Sequence, residues 1–282
     1  MFDTLIDTTV LAAHLDDPEW VICDCRFALN APDAGEAEYR SSHIPGAVYL
    51  HLDRELAGPI TADSGRHPLP DPEALAALFS RIGVRAGTQL LAYDASQGAF
   101  AARLWWLARW LGHRDVAVLD GGWQAWIAAG GPVNAGAVSP RPGAFHVQRN
   151  DALWLDAAGV LDLVADRRPG RLLDARAAER FQGRNETLDP VAGHIPGAVN
   201  LPYTGNVDNN GRFKSPEALR VRFGAGLSGL PPQQAVCMCG SGVTACHNLL
   251  AMEHAGLHGA RLYAGSWSEW IRDPARPVAT GG

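Results

Sequence analysis

The stretch from Cys239 to Ala245 reads Cys-Gly-Ser-Gly-Val-Thr-Ala and holds the residue types best suited to chemistry in this chain. An apolar run over 235–238 precedes it, and helix-like sequence follows from Cys246 to Glu253. A cysteine between a strand and a helix meets free backbone N–H groups and the helix dipole, which favour a thiolate and bound negative charge. The pattern therefore predicts a nucleophilic Cys239. The alternative is a buried structural cysteine, although core cysteines rarely lie among glycine, serine and threonine.

Two other uses of these cysteines are disfavoured by spacing. A phosphatase or arsenate reductase loop places an arginine after five residues, but position 245 is alanine, so a bound dianion would lack its guanidinium partner. A zinc site could use three cysteines and one histidine, but the spacing lacks a second paired knuckle and Cys237 lies in an apolar run. The candidate ligands of that site would be Cys237, Cys239, Cys246 and His247. We expect neither a metal nor a cofactor.

The loop resembles the active-site loop of two-domain rhodanese-like sulfurtransferases, most closely in the 3-mercaptopyruvate branch. The thiosulfate branch carries two cationic residues directly after the cysteine, where this chain has Gly240 and Ser241. The resemblance implies that Cys239 takes a sulfur atom from a donor as a persulfide and passes it to a thiol, such as thioredoxin or glutathione, or to cyanide. The alternatives are a thiosulfate:cyanide sulfurtransferase and a non-enzymatic persulfide carrier or sulfur sensor.

The resemblance also suggests roles for other residues. Backbone N–H groups of the loop would stabilise charge on both sulfur atoms, and Ser241 would relay a proton to the departing enolate, with His43 as its partner. The remaining loop residues are Gly240, Gly242, Val243 and Thr244, of which Thr244 is expected to brace the loop.

A donor carboxylate needs a fixed cation, and a bidentate guanidinium suits it. Arg180 matches one of the two substrate arginines of the 3-mercaptopyruvate branch. The position expected for the second arginine is occupied by Asp189. Arg184 is the nearby arginine that could replace the missing one. Arg180 could instead form a surface salt bridge, and His43 could instead pin its own loop.

The chain repeats itself with a period of about 150 residues. The matching motifs are Asp-Cys-Arg at 24–26 and Asp-Ala-Arg at 174–176, His-Ile-Pro-Gly-Ala at 43–47 and 194–198, and Trp-x-x-Trp at 123–126 and 267–270. Two copies are too few for a solenoid, so the repeat indicates a duplicated domain.

Short apolar runs alternate with helical patterns in each half. Strands are predicted at 21–23, 89–93 and 115–119, and helices begin at Asp71-Pro72 and Ser215-Pro216, where a capping residue precedes a proline. This alternation indicates an α/β fold: two tandem rhodanese-like domains, each a mainly parallel sheet with helices on both faces.

We therefore predict an N-terminal domain over 1–133, a linker over 134–149 and a catalytic domain over 150–282. Asp94 aligns with Cys239, and because an aspartate cannot carry a sulfane sulfur, the first domain is expected to be catalytically silent. The resemblance implies an active site between the two domains, with the first domain covering the cleft.

Composition limits the partners. Of 282 residues, 47% are hydrophobic, which is enough for a sizeable core, and the net charge of −6 argues against nucleic acid. No apolar run is long enough for a membrane span, and the first residues do not resemble a signal peptide. Five cysteines in no disulfide pattern favour a reducing cytoplasm.

Overall fold

The sequence repeat corresponds to two sheets with the same strand order. A computed structural model describes residues 1–282, and the chain divides into two compact units. The first unit comprises residues 1–58, 69–150 and 209–213, and the second comprises 59–68, 151–208 and 214–282. One short segment of each half therefore belongs to the other unit. No helix of either unit is long and apolar enough to span a membrane.

The first unit contains a parallel five-stranded sheet in the order β1-β5-β4-β2-β3. Its strands are β1 (Leu5–Ile6), β2 (Trp20–Asp24), β3 (Val48–Tyr49), β4 (Gln89–Tyr93) and β5 (Val116–Leu119). Its helices are α1 (Thr8–Ala13), α2 (Ala34–Ser41), α3 (Leu52–Glu55), α4 (Pro72–Arg81), α5 (Ala101–Trp110) and α6 (Gly122–Ala128).

The second unit repeats the arrangement, with a parallel sheet in the order β6-β10-β9-β7-β8. Its strands are β6 (Trp154–Leu155), β7 (Arg171–Asp174), β8 (Val199–Asn200), β9 (Ala235–Met238) and β10 (Arg261–Tyr263). Its helices are α7 (Ala157–Val164), α8 (Ala178–Phe181), α9 (Pro216–Leu227), α10 (Thr244–His254) and α11 (Ser266–Trp270). Single 3₁₀ turns cover Asp151–Leu153, Tyr203–Asn206 and Pro232–Gln234. The predicted α/β class with two parallel sheets is confirmed.

Local signals account for the elements. The central strands β4 and β9 are buried along their whole length, as expected when helices cover both faces of a parallel sheet. Asp71 caps α4 by accepting the N–H groups of Glu73 and Ala74, and Ser215 caps α9 by accepting the N–H of Ala218. Both helices begin with the predicted proline.

The duplicated motifs make the same contacts in both units. Arg26 pairs with Asp24 and lies over the Trp123 ring, with its guanidinium carbon 4.5 Å from the ring centroid. In the second unit Arg176, Asp174 and Trp267 repeat this arrangement at 4.7 Å. Each unit therefore contains a buried Arg–Asp pair whose guanidinium also makes a cation–π contact with a tryptophan ring.

Each repeated histidine pins its own loop. His43 Nδ1 lies 2.8 Å from the carbonyl oxygen of Tyr39, and the ring stacks on that tyrosine. His194 Nδ1 likewise lies 2.8 Å from the carbonyl oxygen of Phe181 and stacks on that ring. Both histidines have the structural role that the sequence left open for His43.

The loop between β4 and α5 closes around the carboxylate of Asp94. The fully buried carboxylate accepts four backbone N–H groups, at 2.7–2.9 Å. The donors are Ser96, Gly98, Phe100 and Ala101. Burial raises the pKa of Asp94, while these N–H groups oppose the shift. The carboxylate thus occupies the anion-binding position at the start of a helix.

We expect Asp94→Ala to destabilise the first unit, because it leaves buried N–H groups without an acceptor, at about 1–3 kcal/mol for each unsatisfied group. The exposed cap Asp71, which accepts two N–H groups, provides the control, since Asp71→Ala should cost about 1 kcal/mol. Denaturant unfolding of both variants measures the difference. An Asp94→Ala cost no larger than that of Asp71→Ala would contradict the anchoring role.

Candidate active site

The predicted nucleophile lies where β9 turns into α10. The turn depends on Gly242, whose φ of +78° is accessible to few side chains. A Cβ atom at this position would also overlap the carbonyl oxygen of Ala264. The glycine at this position is therefore required by the backbone, and it places the residues before it at the start of the helix.

Cys239 is held on both sides of its backbone, and its side chain is only 2% exposed. Its N–H donates to Ser266 Oγ at 3.1 Å, and its carbonyl oxygen accepts the Trp267 N–H at 3.0 Å. The Gly242 N–H donates to Cys239 Sγ at 3.2 Å. A backbone donor directed at the sulfur is the kind of contact that favours negative charge there.

The other cysteines occupy different surroundings. None of the five forms a disulfide, and all are buried. Burial raises the pKa of Cys23, Cys25 and Cys237, which keeps these thiols protonated and unreactive. Cys246 donates its S–H to the carbonyl oxygen of Gly242 at 3.3 Å. No three His, Cys, Asp or Glu side chains are placed to hold a metal ion.

Ser241 pairs with a histidine that the sequence analysis did not identify. His67 Nδ1 lies 2.6 Å from Ser241 Oγ, and both side chains are buried. His43, the predicted partner, belongs to the first unit and contacts Tyr39. His67 comes from the segment 59–68, which packs in the second unit although it precedes α4 in sequence. No local motif marks it, because its partner lies 174 residues away.

Arg180 lies beside the loop and is fixed by two carboxylates. Its Nε donates to both oxygens of Glu186 at 3.0 Å, and its Nη2 donates to Asp189 Oδ2 at 2.9 Å. Asp189, at the place where the resemblance implies a second arginine, also pairs with Arg66. Burial, and then the nearby Arg180 charge, lowers the pKa of Arg66, although a guanidinium stays protonated in proteins.

These pairs continue into the Asp-Ala-Arg motif. Arg176 Nη1 lies 3.7 Å from Glu186, and Arg176 also pairs with Asp174. Three guanidinium groups and three carboxylates thus alternate, and their formal charges cancel. The chain of pairs runs Asp174, Arg176, Glu186, Arg180, Asp189, Arg66.

Arg184 does not join this cluster. Its side chain is exposed and donates to the amide oxygen of Gln182. The arginine that accompanies Arg180 beside the loop is Arg66, which, like His67, comes from the segment 59–68. The prediction that Arg184 accompanies Arg180 was based on sequence proximity, and the structure places Arg66 there instead.

The chain is similar to known proteins in sequence and in fold. The rhodanese-like domain pattern matches residues 7–129 and 156–273. The chain is 51% identical over 280 residues to a probable 3-mercaptopyruvate sulfurtransferase of Pseudomonas aeruginosa, covering 98% of each chain. It is 41% identical to a putative thiosulfate sulfurtransferase of Mycobacterium tuberculosis, covering 92% of this chain and 90% of that one. The structure of 3-mercaptopyruvate sulfurtransferase from Leishmania major superimposes with a TM-score of 0.84 at 33% identity, covering 96% of this chain and 76% of that one.

We expect Gly242→Ala to destabilise the second unit by more than about 1 kcal/mol, because the new side chain strains a left-handed backbone and overlaps Ala264. Gly224 in α9 is the matched control, since a Cβ there meets nothing within 4 Å. Gly224→Ala should stabilise the helix by about 0.5–1 kcal/mol. Denaturant unfolding measures both variants, and equal effects would contradict the requirement for glycine in the loop.

Proposed function

We propose a sulfurtransferase activity for this chain, which belongs to the family of proteins with rhodanese-like domains. In this proposal Cys239 takes a sulfur atom from 3-mercaptopyruvate, holds it as a persulfide and transfers it to a thiol or to cyanide. One observation carries the proposal. The Cys239 sulfur accepts a backbone N–H, and Ser241, two residues further along the loop, forms a buried hydrogen bond with His67.

The transfer proceeds in two displacement steps. The Cys239 thiolate attacks the donor sulfur, a new S–S bond forms, and the donor's C–S bond breaks with its electron pair going to the pyruvate enolate. An acceptor thiolate or cyanide then attacks the outer sulfur and releases Cys239 as a thiolate. The Gly242 N–H, 3.2 Å from Sγ, stabilises the charge at both stages.

The departing enolate needs one proton to become pyruvate. In this proposal Ser241 donates it, and His67, whose Nδ1 lies 2.6 Å from the hydroxyl oxygen, replaces the proton that the hydroxyl loses. Burial of both groups keeps bulk water from competing for this transfer. A Ser241→Ala variant that releases pyruvate at the wild-type rate would contradict this role.

The charge balance of the site supports a donor with a single carboxylate. The three guanidinium groups beside the loop already face three carboxylates, and the residues after Cys239 are uncharged. A thiosulfate dianion would therefore find little unbalanced positive charge. The relatives named as 3-mercaptopyruvate sulfurtransferases support the same choice.

The first domain is proposed to be catalytically silent. Asp94 stands where the second domain has Cys239, and its carboxylate accepts four backbone N–H groups of that loop. A donor sulfur would find neither a nucleophile nor an open anion site there. Catalysis is accordingly assigned to the domain over 150–282, together with the segment that carries His67.

The acceptor is proposed to be a thiol such as thioredoxin or glutathione. Because none of the five cysteines forms a disulfide and a persulfide is discharged by free thiols, a reducing compartment such as the cytoplasm suits the activity.

Cys239→Ser should abolish sulfur transfer with any donor while leaving the thermal midpoint near that of the wild type, since a hydroxyl forms no persulfide. Mass spectrometry of wild-type protein treated with 3-mercaptopyruvate should add about 32 Da, one sulfur atom, to the peptide containing Cys239. Addition of the sulfur to Cys23, Cys25 or Cys237 instead would show that the nucleophile is misassigned. Loading without catalytic turnover would favour a persulfide carrier.

We expect kcat/KM for 3-mercaptopyruvate to exceed that for thiosulfate about tenfold or more, equivalent to roughly 1.4 kcal/mol. Asp189→Asn removes one negative charge beside Arg66 and Arg180 and should raise the relative use of the thiosulfate dianion. Asp162→Asn, at an exposed carboxylate paired with Arg167, is the control for net charge. Equal or better use of thiosulfate by the wild type would favour a thiosulfate sulfurtransferase, the name of the Mycobacterium tuberculosis relative.

A further inference from the structure

The segment 59–68, which carries His67, lies against the start of α11. The contact is closest at Gly65, where a Cβ atom would lie 2.5 Å from the carbonyl oxygen of Gly265 and 2.8 Å from Ser268 Oγ. Gly65 has no positive φ, so its backbone conformation does not require glycine. Glycine is required here because the backbone of the segment approaches α11 so closely.

Ser268 binds this segment through its hydroxyl. Its Oγ accepts the backbone N–H of Arg66 at 3.0 Å, and its side chain is buried. Arg66 directly precedes His67, whose Nδ1 lies 2.6 Å from Ser241 Oγ. The hydrogen bond to Ser268 therefore fixes the backbone one residue before the histidine.

Ser268 also binds the loop of the proposed nucleophile. Its N–H donates to the carbonyl oxygen of Gly240 at 2.9 Å. The two preceding residues of α11 bind the backbone of Cys239, since Ser266 Oγ accepts its N–H and the Trp267 N–H donates to its carbonyl oxygen. Ser268 thus contacts the loop with its N–H and the segment 59–68 with its hydroxyl.

We propose that Ser268 is a positioning residue for the proton relay between Ser241 and His67. Its backbone N–H holds the loop that carries Ser241, and its hydroxyl holds the segment that carries His67. The distance between the two side chains therefore depends on a residue that binds both elements. The proposal rests on the sulfurtransferase function and assigns a role to a residue that acts on the reaction only through this pair.

The first unit holds the segment that it receives from the other half in a similar way. The sequence Gly-Arg-Phe at 211–213 matches Gly-Arg-His at 65–67, and each precedes a helix that begins with proline. The Phe213 N–H donates to Asp120 Oδ1 at 2.8 Å. In both units a side-chain oxygen thus accepts a backbone N–H of this motif, which supports a role for the contact in holding the segment.

Single-turnover kinetics separate the proton relay from the rest of the reaction. Ser268→Ala should slow pyruvate release from 3-mercaptopyruvate about tenfold or more, because the relay is no longer held in place. Discharge of a preloaded Cys239 persulfide to cyanide should keep the wild-type rate, since this step needs no proton from Ser241. The matched control is Ser215→Ala, which removes a hydroxyl that accepts the backbone N–H of Ala218 and should leave both rates unchanged.

A double-mutant cycle distinguishes positioning from a general structural effect. The relay is already lost in His67→Gln, so adding Ser268→Ala to this variant should change pyruvate release by less than about twofold. A loss as large as in the wild-type background would overturn the proposal. Pyruvate release at the wild-type rate in Ser268→Ala, or an equal slowing of persulfide discharge, would overturn it as well.

Gly65→Ala tests the contact while keeping the Ser268 hydroxyl. The new Cβ would overlap a backbone oxygen, so the segment 59–68 must move away from α11. Pyruvate release should slow as in Ser268→Ala. Gly224→Ala, whose Cβ meets nothing within 4 Å, should match the wild type. Wild-type pyruvate release by Gly65→Ala would contradict the proposed positioning.

Hydrogen exchange measures the contact independently of activity. Loss of the acceptor in Ser268→Ala should speed exchange of the Arg66 amide roughly fivefold or more, and Ser215→Ala should leave it unchanged. Unchanged exchange in Ser268→Ala would overturn the proposal even if sulfur transfer proceeds. Faster exchange in a protein whose wild type transfers no sulfur would support the contact and contradict the sulfurtransferase function.

Discussion

Each half of this chain is organised around one negatively charged or polarisable group held at the point where a buried parallel strand turns into a helix. In the first half that group is the Asp94 carboxylate, which takes four backbone N–H groups. In the second half it is Cys239, whose sulfur takes the Gly242 N–H. Backbone donors near a helix start favour an acceptor, and the acceptor is an internal carboxylate in one copy of the fold and the sulfur of a candidate nucleophile in the other.

A charge-balanced network of ion pairs lies beside the second of these loops. The Asp174–Arg176 pair repeats a pair found in the first unit, so the fold itself supplies the start of the network. Glu186 and Asp189 extend it to Arg180 and Arg66. Each guanidinium of the network faces a buried carboxylate, and these ion pairs hold the arginine side chains in fixed orientations.

The short segment 59–68 links the first half of the sequence to this site. It belongs to the second unit, while residues 209–213 belong to the first. Each segment precedes a helix that begins with proline, α4 or α9. The two halves of the sequence therefore exchange segments. One consequence is that His67 lies beside Ser241 and Arg66 lies beside Gly240.

Short-range patterns in the sequence were enough to determine the repeat, the parallel α/β class, the helix starts and the candidate nucleophile. Apart from the repeat, which is found by comparing the two halves, these features depend on residues within a few positions of one another, through periodicity and capping. The partners of the loop could not be found this way. His43 and Arg184 were nearer to known motifs, but only the tertiary structure decided that His67 and Arg66 reach the loop. Their contacts with Ser241 and Asp189 join residues 174 and 123 positions apart, and such pairings are set by how the chain packs, not by local sequence.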